Sequence, residues 1–144
     1  MDTNNTDYCL GVGVSCYLGL WQLEQRSIGD QALHPARGYL RYRSGGAMEV
    51  VIMKDMQSME LLTSYSGRYE CSDDRVTHIP EAGFSPTGIQ PKLRYLCLGE
   101  DQSILWLCTA SPGRPLTAAD QRLQFRRQAC KSLVSSLDSI KISS

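Results

Sequence analysis

The chain has 144 residues, with 15 basic and 15 acidic side chains and a formal net charge of zero. That balance excludes a protein that works by neutralising nucleic-acid phosphates, which needs clustered excess positive charge. At this length roughly 68–70% of the unfolded surface can be buried, so one domain over residues 1–144 can build its core without a metal or a disulfide framework.

The uncharged stretch from Tyr8 to Trp21 is preceded by Asp2 and Asp7 and broken by Gly11, Gly13 and Gly19. It lacks the basic start of a targeting signal and is too short to cross a bilayer, so the chain reads as a soluble cytoplasmic protein with no membrane partner. The six cysteines, Cys9, Cys16, Cys71, Cys97, Cys108 and Cys130, form no CxxC pair. No zinc site is expected, and thiols inside apolar runs such as those at Cys97 and Cys108 read as small buried hydrophobes in the reduced state.

Helical periodicity is scarce, and short alternating runs recur between turn residues. Tyr17 to Gln25 reads as a first strand. Arg37 to Arg43 and Ala47 to Met53, joined by Ser44-Gly-Gly46, carry a hairpin signature. Asp55 to Leu62 has the composition of a helical turn or a loop over one barrel end. Thr63 to Cys71 and Arg75 to Ile79 flank the turn Ser72-Asp-Asp74 as a second hairpin. After a loop over Gly83 to Gly88 come strands at Ile89 to Leu98, Ser103 to Thr109 and Gln121 to Arg127. The tail from Cys130 to Ser144 places Leu133, Leu137 and Ile140 at helical spacing. Eight antiparallel strands joined by short links predict an all-β, up-and-down barrel, whose interior is filled by side chains or holds one small ligand.

Gly19-Leu-Trp21 resembles the G-x-W signature of lipocalins, and Arg126 or Arg127 stands where that fold sets an arginine over the tryptophan. Strand parity prefers Arg127, which shares a face with Leu123 and Phe125. Gly38-Tyr-Leu-Arg-Tyr42, Tyr65-Ser-Gly-Arg-Tyr69, His78, Pro86, Gly88, Arg94 and Leu105-Trp-Leu107 together resemble the bacterial and fungal lipocalin-like domain family, from about Leu18 to Arg127. The sequence departs from that pattern where Pro91 and Lys92 lengthen the approach to Arg94, and a bulge is expected there.

Parity along the strands then nominates a lumen. Tyr65, Tyr69 and Cys71 share the face of Gly67, and Leu40 shares one with Tyr42. The strand from Ala47 leaves two faces open, one of Met48, Val50 and Ile52 and one that would bring Glu49 inside, where desolvation would fit it for acid–base work. His78 reads either as a proton shuttle or as a ring that locks the barrel end. His34, before Pro35, reads as a solvated turn residue. Arg94 is read as a clamp for a carboxylate or enolate, or as a structural ion-pair partner. The catalytic candidates are therefore His78, Arg94, Tyr69, Glu49 and Glu81, with Tyr42, Tyr65, Tyr95 and Trp106 lining or capping a pocket.

No nucleophile elbow, phosphate loop, zinc-protease helix or dinucleotide fingerprint occurs, so catalysis is expected to use no cofactor. The resemblance implies an isomerase or cyclase acting on an apolar small molecule in natural-product (secondary-metabolite) biosynthesis. A carrier of a hydrophobic ligand is the alternative, and a filled barrel that serves as a structural domain or homodimer is the third.

Overall fold

The structure, a computed structural model, describes residues 17–99 and 101–128. They form nine strands: β1 (Gly19–Ile28), β2 (His34–Pro35), β3 (Gly38–Tyr42), β4 (Ala47–Met53), β5 (Leu61–Ser72), β6 (Arg75–Phe84), β7 (Lys92–Leu98), β8 (Ile104–Cys108) and β9 (Gln121–Arg127). Each of β3 to β9 pairs antiparallel with the next, and β9 returns to β1, so eight strands close an all-β barrel. The two residues of β2 extend β1 past the end of β3. Closure leaves the main strands no free edge, which removes the liability of an open sheet.

Alternation sets the core. Leu40 and Tyr42 of β3, Met48, Val50 and Ile52 of β4, Tyr65 and Tyr69 of β5, and Leu105 and Leu107 of β8 are buried. Fully buried Trp21 seals one end of the barrel, with the Arg127 guanidinium 4.2 Å from its ring centroid. That guanidinium donates to the carbonyls of Leu18 at 2.9 Å and Gln102 at 3.1 Å, while the indole N–H donates to the Tyr17 carbonyl at 2.8 Å. The cation rests on the ring's negative face and the donors near it are satisfied. Arg126 points outward instead and pairs with Glu24 at 2.7 Å.

Three register shifts interrupt the ladders, at Leu23/Gln25 in β1, Ile52/Met53 in β4 and Ser66/Gly67 in β5. At Gly67 a Cβ would run into the Ile79 carbonyl, so the close approach of β6 requires glycine there.

Several sequence expectations are corrected. Between β6 and β7 the pairing runs unshifted from Arg75↔Tyr95 to His78↔Lys92. No bulge precedes Arg94, because Pro91, which cannot donate to a ladder, lies outside the strand. Of the two readings given for residues 55–62 the loop holds over 54–60, while Leu61 and Leu62 open β5: the Asp55 carboxylate accepts the N–H groups of Gln57 at 2.9 Å and Ser58 at 2.7 Å, a local alternative to helix. β6 continues through Phe84, taking in residues read as loop, and His34 is paired in β2 rather than set in a turn, with its side chain exposed as expected. The N-terminal 1–16 and C-terminal 130–144 extensions, with Cys9, Cys16 and Cys130, lie outside the described residues. Cys71, Cys97 and Cys108 are free thiols. Among the described residues no helix is long and apolar enough to cross a membrane.

Candidate functional site

In an up-and-down barrel alternate connections share an end. The links β1 to β3, β4 to β5, β6 to β7 and β8 to β9 therefore lie opposite the Trp21 seal, and the lumen opens among them. A cavity of about 210 Å³ sits there, with walls that include Val50, Ile52, Tyr65, His78, Leu107 and Leu123. It is smaller than the ~300 Å³ typical of the smallest drug-sized pockets. Larger grooves of about 300 and 400 Å³ lie on the outer wall beside Glu49 and Arg41, and neither is lined by His78, Lys92 or Arg94.

His78 is the centre of the site. It is fully buried on β6, with its Nε2 2.7 Å from the Tyr42 hydroxyl and its Nδ1 2.8 Å from the Tyr65 hydroxyl. Burial, together with the Arg94 and Lys92 charges, pushes its pKa down to about 3, so the ring is neutral at pH 7. A neutral imidazole has one donor nitrogen and one acceptor nitrogen, which leaves two orders for the chain. If Tyr65 donated to His78, His78 would donate to Tyr42, whose own proton would then lie in the core with no acceptor. In the other order Tyr42 donates to Nε2, Nδ1–H donates to Tyr65, and the Tyr65 proton is presented to the cavity. The requirement that buried polar groups be paired selects the second order. Burial raises the pKa of Tyr65 to about 12 and that of Tyr42 well above the usual phenol value, so both hydroxyls hold their protons.

Arg94, next on the inner face of β7 after Lys92, lines the same cavity. Its Nη1 donates to the carbonyl of its neighbour Leu93 at 2.9 Å. Desolvation lowers its pKa, and its charge acts on both tyrosines of the chain. The Lys92 ammonium donates to Thr87 Oγ1 at 2.7 Å, and burial with the Arg94 charge lowers its pKa too.

The other candidates are placed elsewhere. Tyr69 is buried, but its hydroxyl donates to the Arg43 carbonyl at 2.8 Å and its ring packs 4.7 Å from Tyr42, bracing the β3–β4 turn. Tyr42 stands behind His78 and does not line the cavity. Glu49 faces out, 3.6 Å from Arg41 and 3.5 Å from Arg43, because β4 turns Met48, Val50 and Ile52 inward. Glu81 also faces out, 3.0 Å from Arg68. Tyr95 and Trp106 point away from the lumen, since Arg94 and Leu96, and Leu105 and Leu107, take the inner positions.

Sequence reasoning missed Arg26. Plain alternation from Trp21 and Leu23 would turn it outward, but the bulge before Gln25 inverts the parity and pairs it with inward Leu123. Lys92 was legible, since it shares the parity of Arg94. Among the described residues no group of three His, Cys, Asp or Glu side chains could hold a metal ion. No protein-family model and no curated protein matches the chain.

Proposed function

We propose that the protein is a cytoplasmic, cofactor-independent isomerase or cyclase of the lipocalin-like kind, acting in secondary metabolism on an apolar small molecule that carries a carbonyl. The observation that carries this reading is the buried Tyr42–His78–Tyr65 chain, whose Tyr65 end borders the cavity. With Tyr42 donating inward, the Tyr65 proton faces the cavity. Tyr65 donates to the substrate carbonyl oxygen. As negative charge grows on that oxygen, the Nδ1–H of neutral His78 holds the phenol oxygen and Arg94 adds its positive field. Such donors are fixed before the reaction and need little reorganisation during it. An isomerisation also needs a base to take the proton from the carbon next to the carbonyl and return it at a second carbon. Lys92, an ammonium at rest whose lowered pKa enlarges its minor neutral fraction, is the amine that lines the cavity for this step. A cyclisation needs only the polarisation and a wall that folds the substrate.

A carrier of a hydrophobic ligand is the second reading. It is favoured by the absence of any carboxylate among the described cavity-lining residues, which leaves only the amine of Lys92, charged at rest, to serve as a base. The two are separated by following the conjugation of β,γ-unsaturated ketones by ultraviolet absorbance. The enzyme reading expects conversion by the wild type and a loss of about 10²–10⁴ in His78→Phe, the usual worth of an acid–base group. A wild type that binds these ketones and returns every one unchanged is a carrier.

A further inference from the structure

Among the described residues the charged side chains lining the cavity are Arg26, Lys92 and Arg94, and no Asp or Glu lines it. Three cations thus share one small, largely apolar space. Arg26 comes from β1 and Arg94 from β7, with β8 and β9 between them on the shorter way round the barrel. The Nε of Arg26 is buried and has no hydrogen-bond partner, and desolvation alone lowers that group's pKa. Arg94 donates only to the carbonyl of the adjacent residue. Arg127 has the indole and two carbonyls and Arg122 has Ser27 at 3.0 Å, and Arg37, whose Nε is likewise unpaired, still donates through Nη2 to the carbonyls of Asp55 and Ser58. A buried cation left without a counter-charge is costly, so this cluster is complete only when an anion enters.

The rim says what the anion is attached to. The large apolar side chains that stand exposed are Met56, Met59, Leu61, Phe84, Ile89, Leu93 and Leu116. All belong to the β4–β5, β6–β7 and β8–β9 connections or to the strand residues beside them, at the open end. The hairpin turns of the sealed end carry none of them. Apolar surface gathered round the mouth of a cationic cavity matches an amphipathic molecule that enters head first.

We infer that the cavity takes a carboxylate whose head is gripped by the guanidinium groups of Arg26 and Arg94, with Lys92 adding charge, and whose apolar body lies across the rim. A planar carboxylate suits the guanidinium fork, and two forks from different walls fix its orientation. The inference deepens the reading of this cavity as an active site by naming the group that anchors the substrate and brings the adjoining atoms to Tyr65. It rests on charge and burial alone and stands whether or not turnover follows.

The test is calorimetric titration of the full chain with straight-chain carboxylates from hexanoate to dodecanoate, each beside its methyl ester. The carboxylates are expected to bind at least tenfold more tightly than the esters, with an affinity that weakens as salt is added. Arg26→Gln and Arg94→Gln should each weaken carboxylate binding at least tenfold and leave ester binding unchanged, whereas Arg75→Gln, at the sealed end, should change neither. Circular dichroism verifies the fold of each variant, and the acid–ester comparison needs only the wild type. Esters bound as tightly as acids, or no carboxylate bound, would overturn the inference. Carboxylates bound while the β,γ-unsaturated ketones go unconverted would sink the enzyme reading and leave this one standing; ketone conversion with acids and esters bound alike would do the reverse.

Discussion

Acidification from about pH 7 to about pH 5 should destabilise this barrel through one residue. The His78 pKa is pushed down from 6.5 to about 3 because the ring is fully buried among Tyr42, Tyr65 and nearby cations. In the unfolded chain the imidazole takes up its proton as pH falls through 6.5, while the folded protein keeps it neutral. The unfolded state then binds more protons, so the stability His78 contributes is fully present above 6.5 and is lost progressively as pH falls toward 3. At about pH 5 the unfolded group is ~1.5 units below its pKa and the folded group is still neutral, which at 1.36 kcal/mol per unit is about 2 kcal/mol. Asp55, Asp101 and Asp120 have pKa values held below 3.8 by hydrogen bonds, so their contributions fade only at lower pH and stay out of this window. Urea unfolding followed by tryptophan fluorescence at the two pH values measures the difference, and His78→Gln should remove most of it. Equal wild-type stability at both pH values, or an unchanged difference in His78→Gln, would refute the buried neutral imidazole.

Replacing Trp21 by Ala should lower stability by about 3–5 kcal/mol in urea unfolding, as for other fully buried aromatic residues; a loss under ~1 kcal/mol would mean that the ring does not seal the barrel. Tyr65→Phe should reduce turnover nearly as much as His78→Phe, while Tyr42→Phe, which leaves Nε2 without its donor, should show mainly a stability loss of about 1–3 kcal/mol. Identical kinetic losses in the two variants would contradict the assigned order of the chain. In native protein, exposed Cys97 should react with a disulfide reagent well before Cys71, whose half-buried thiol is pushed up to about 11; equal rates would show that Cys71 is open to solvent.

The barrel was legible because its determinants are local. Alternation and turn chemistry located each long strand, and the bounds of Ala47–Met53 and Gln121–Arg127 coincide with the structure. The inward parity of Tyr65 and Tyr69 followed once Gly67 fixed the phase of β5, and that of Tyr42 from the face it shares with Leu40 on β3. The site was legible where a residue stood on an unbroken strand, as His78 and Arg94 do. It failed where aromatic character was weighed above parity: Tyr95 cannot share the inner face with Arg94, nor Trp106 with Leu105 and Leu107. Arg26 lay beyond reach for a different reason. A single inserted residue inverts every later side chain of a strand, and nothing in Trp21-Gln-Leu-Glu-Gln-Arg26 marks the position where β1 slips against β9.

A His held between two hydroxyls could equally lock a barrel, and hydrogen-bond counting alone does not separate lock from relay. The asymmetry of the surroundings supports the proposed relay. A lock would close both ends of the chain within the core, as Tyr69 does by donating to the Arg43 carbonyl. Here Tyr42 is enclosed while Tyr65 borders a cavity that also holds Arg26, Lys92 and Arg94. Burial, and after it the Arg94 and Lys92 charges, depress the His78 pKa, so those two cations do not favour a charged ring. They make the cavity a place where negative charge is stabilised, and the proton that Tyr65 presents there acts in the same direction. A neutral donor chain and unmatched cations around one small volume are costly to bury separately, and they become mutually consistent once an oxyanion occupies the space between them.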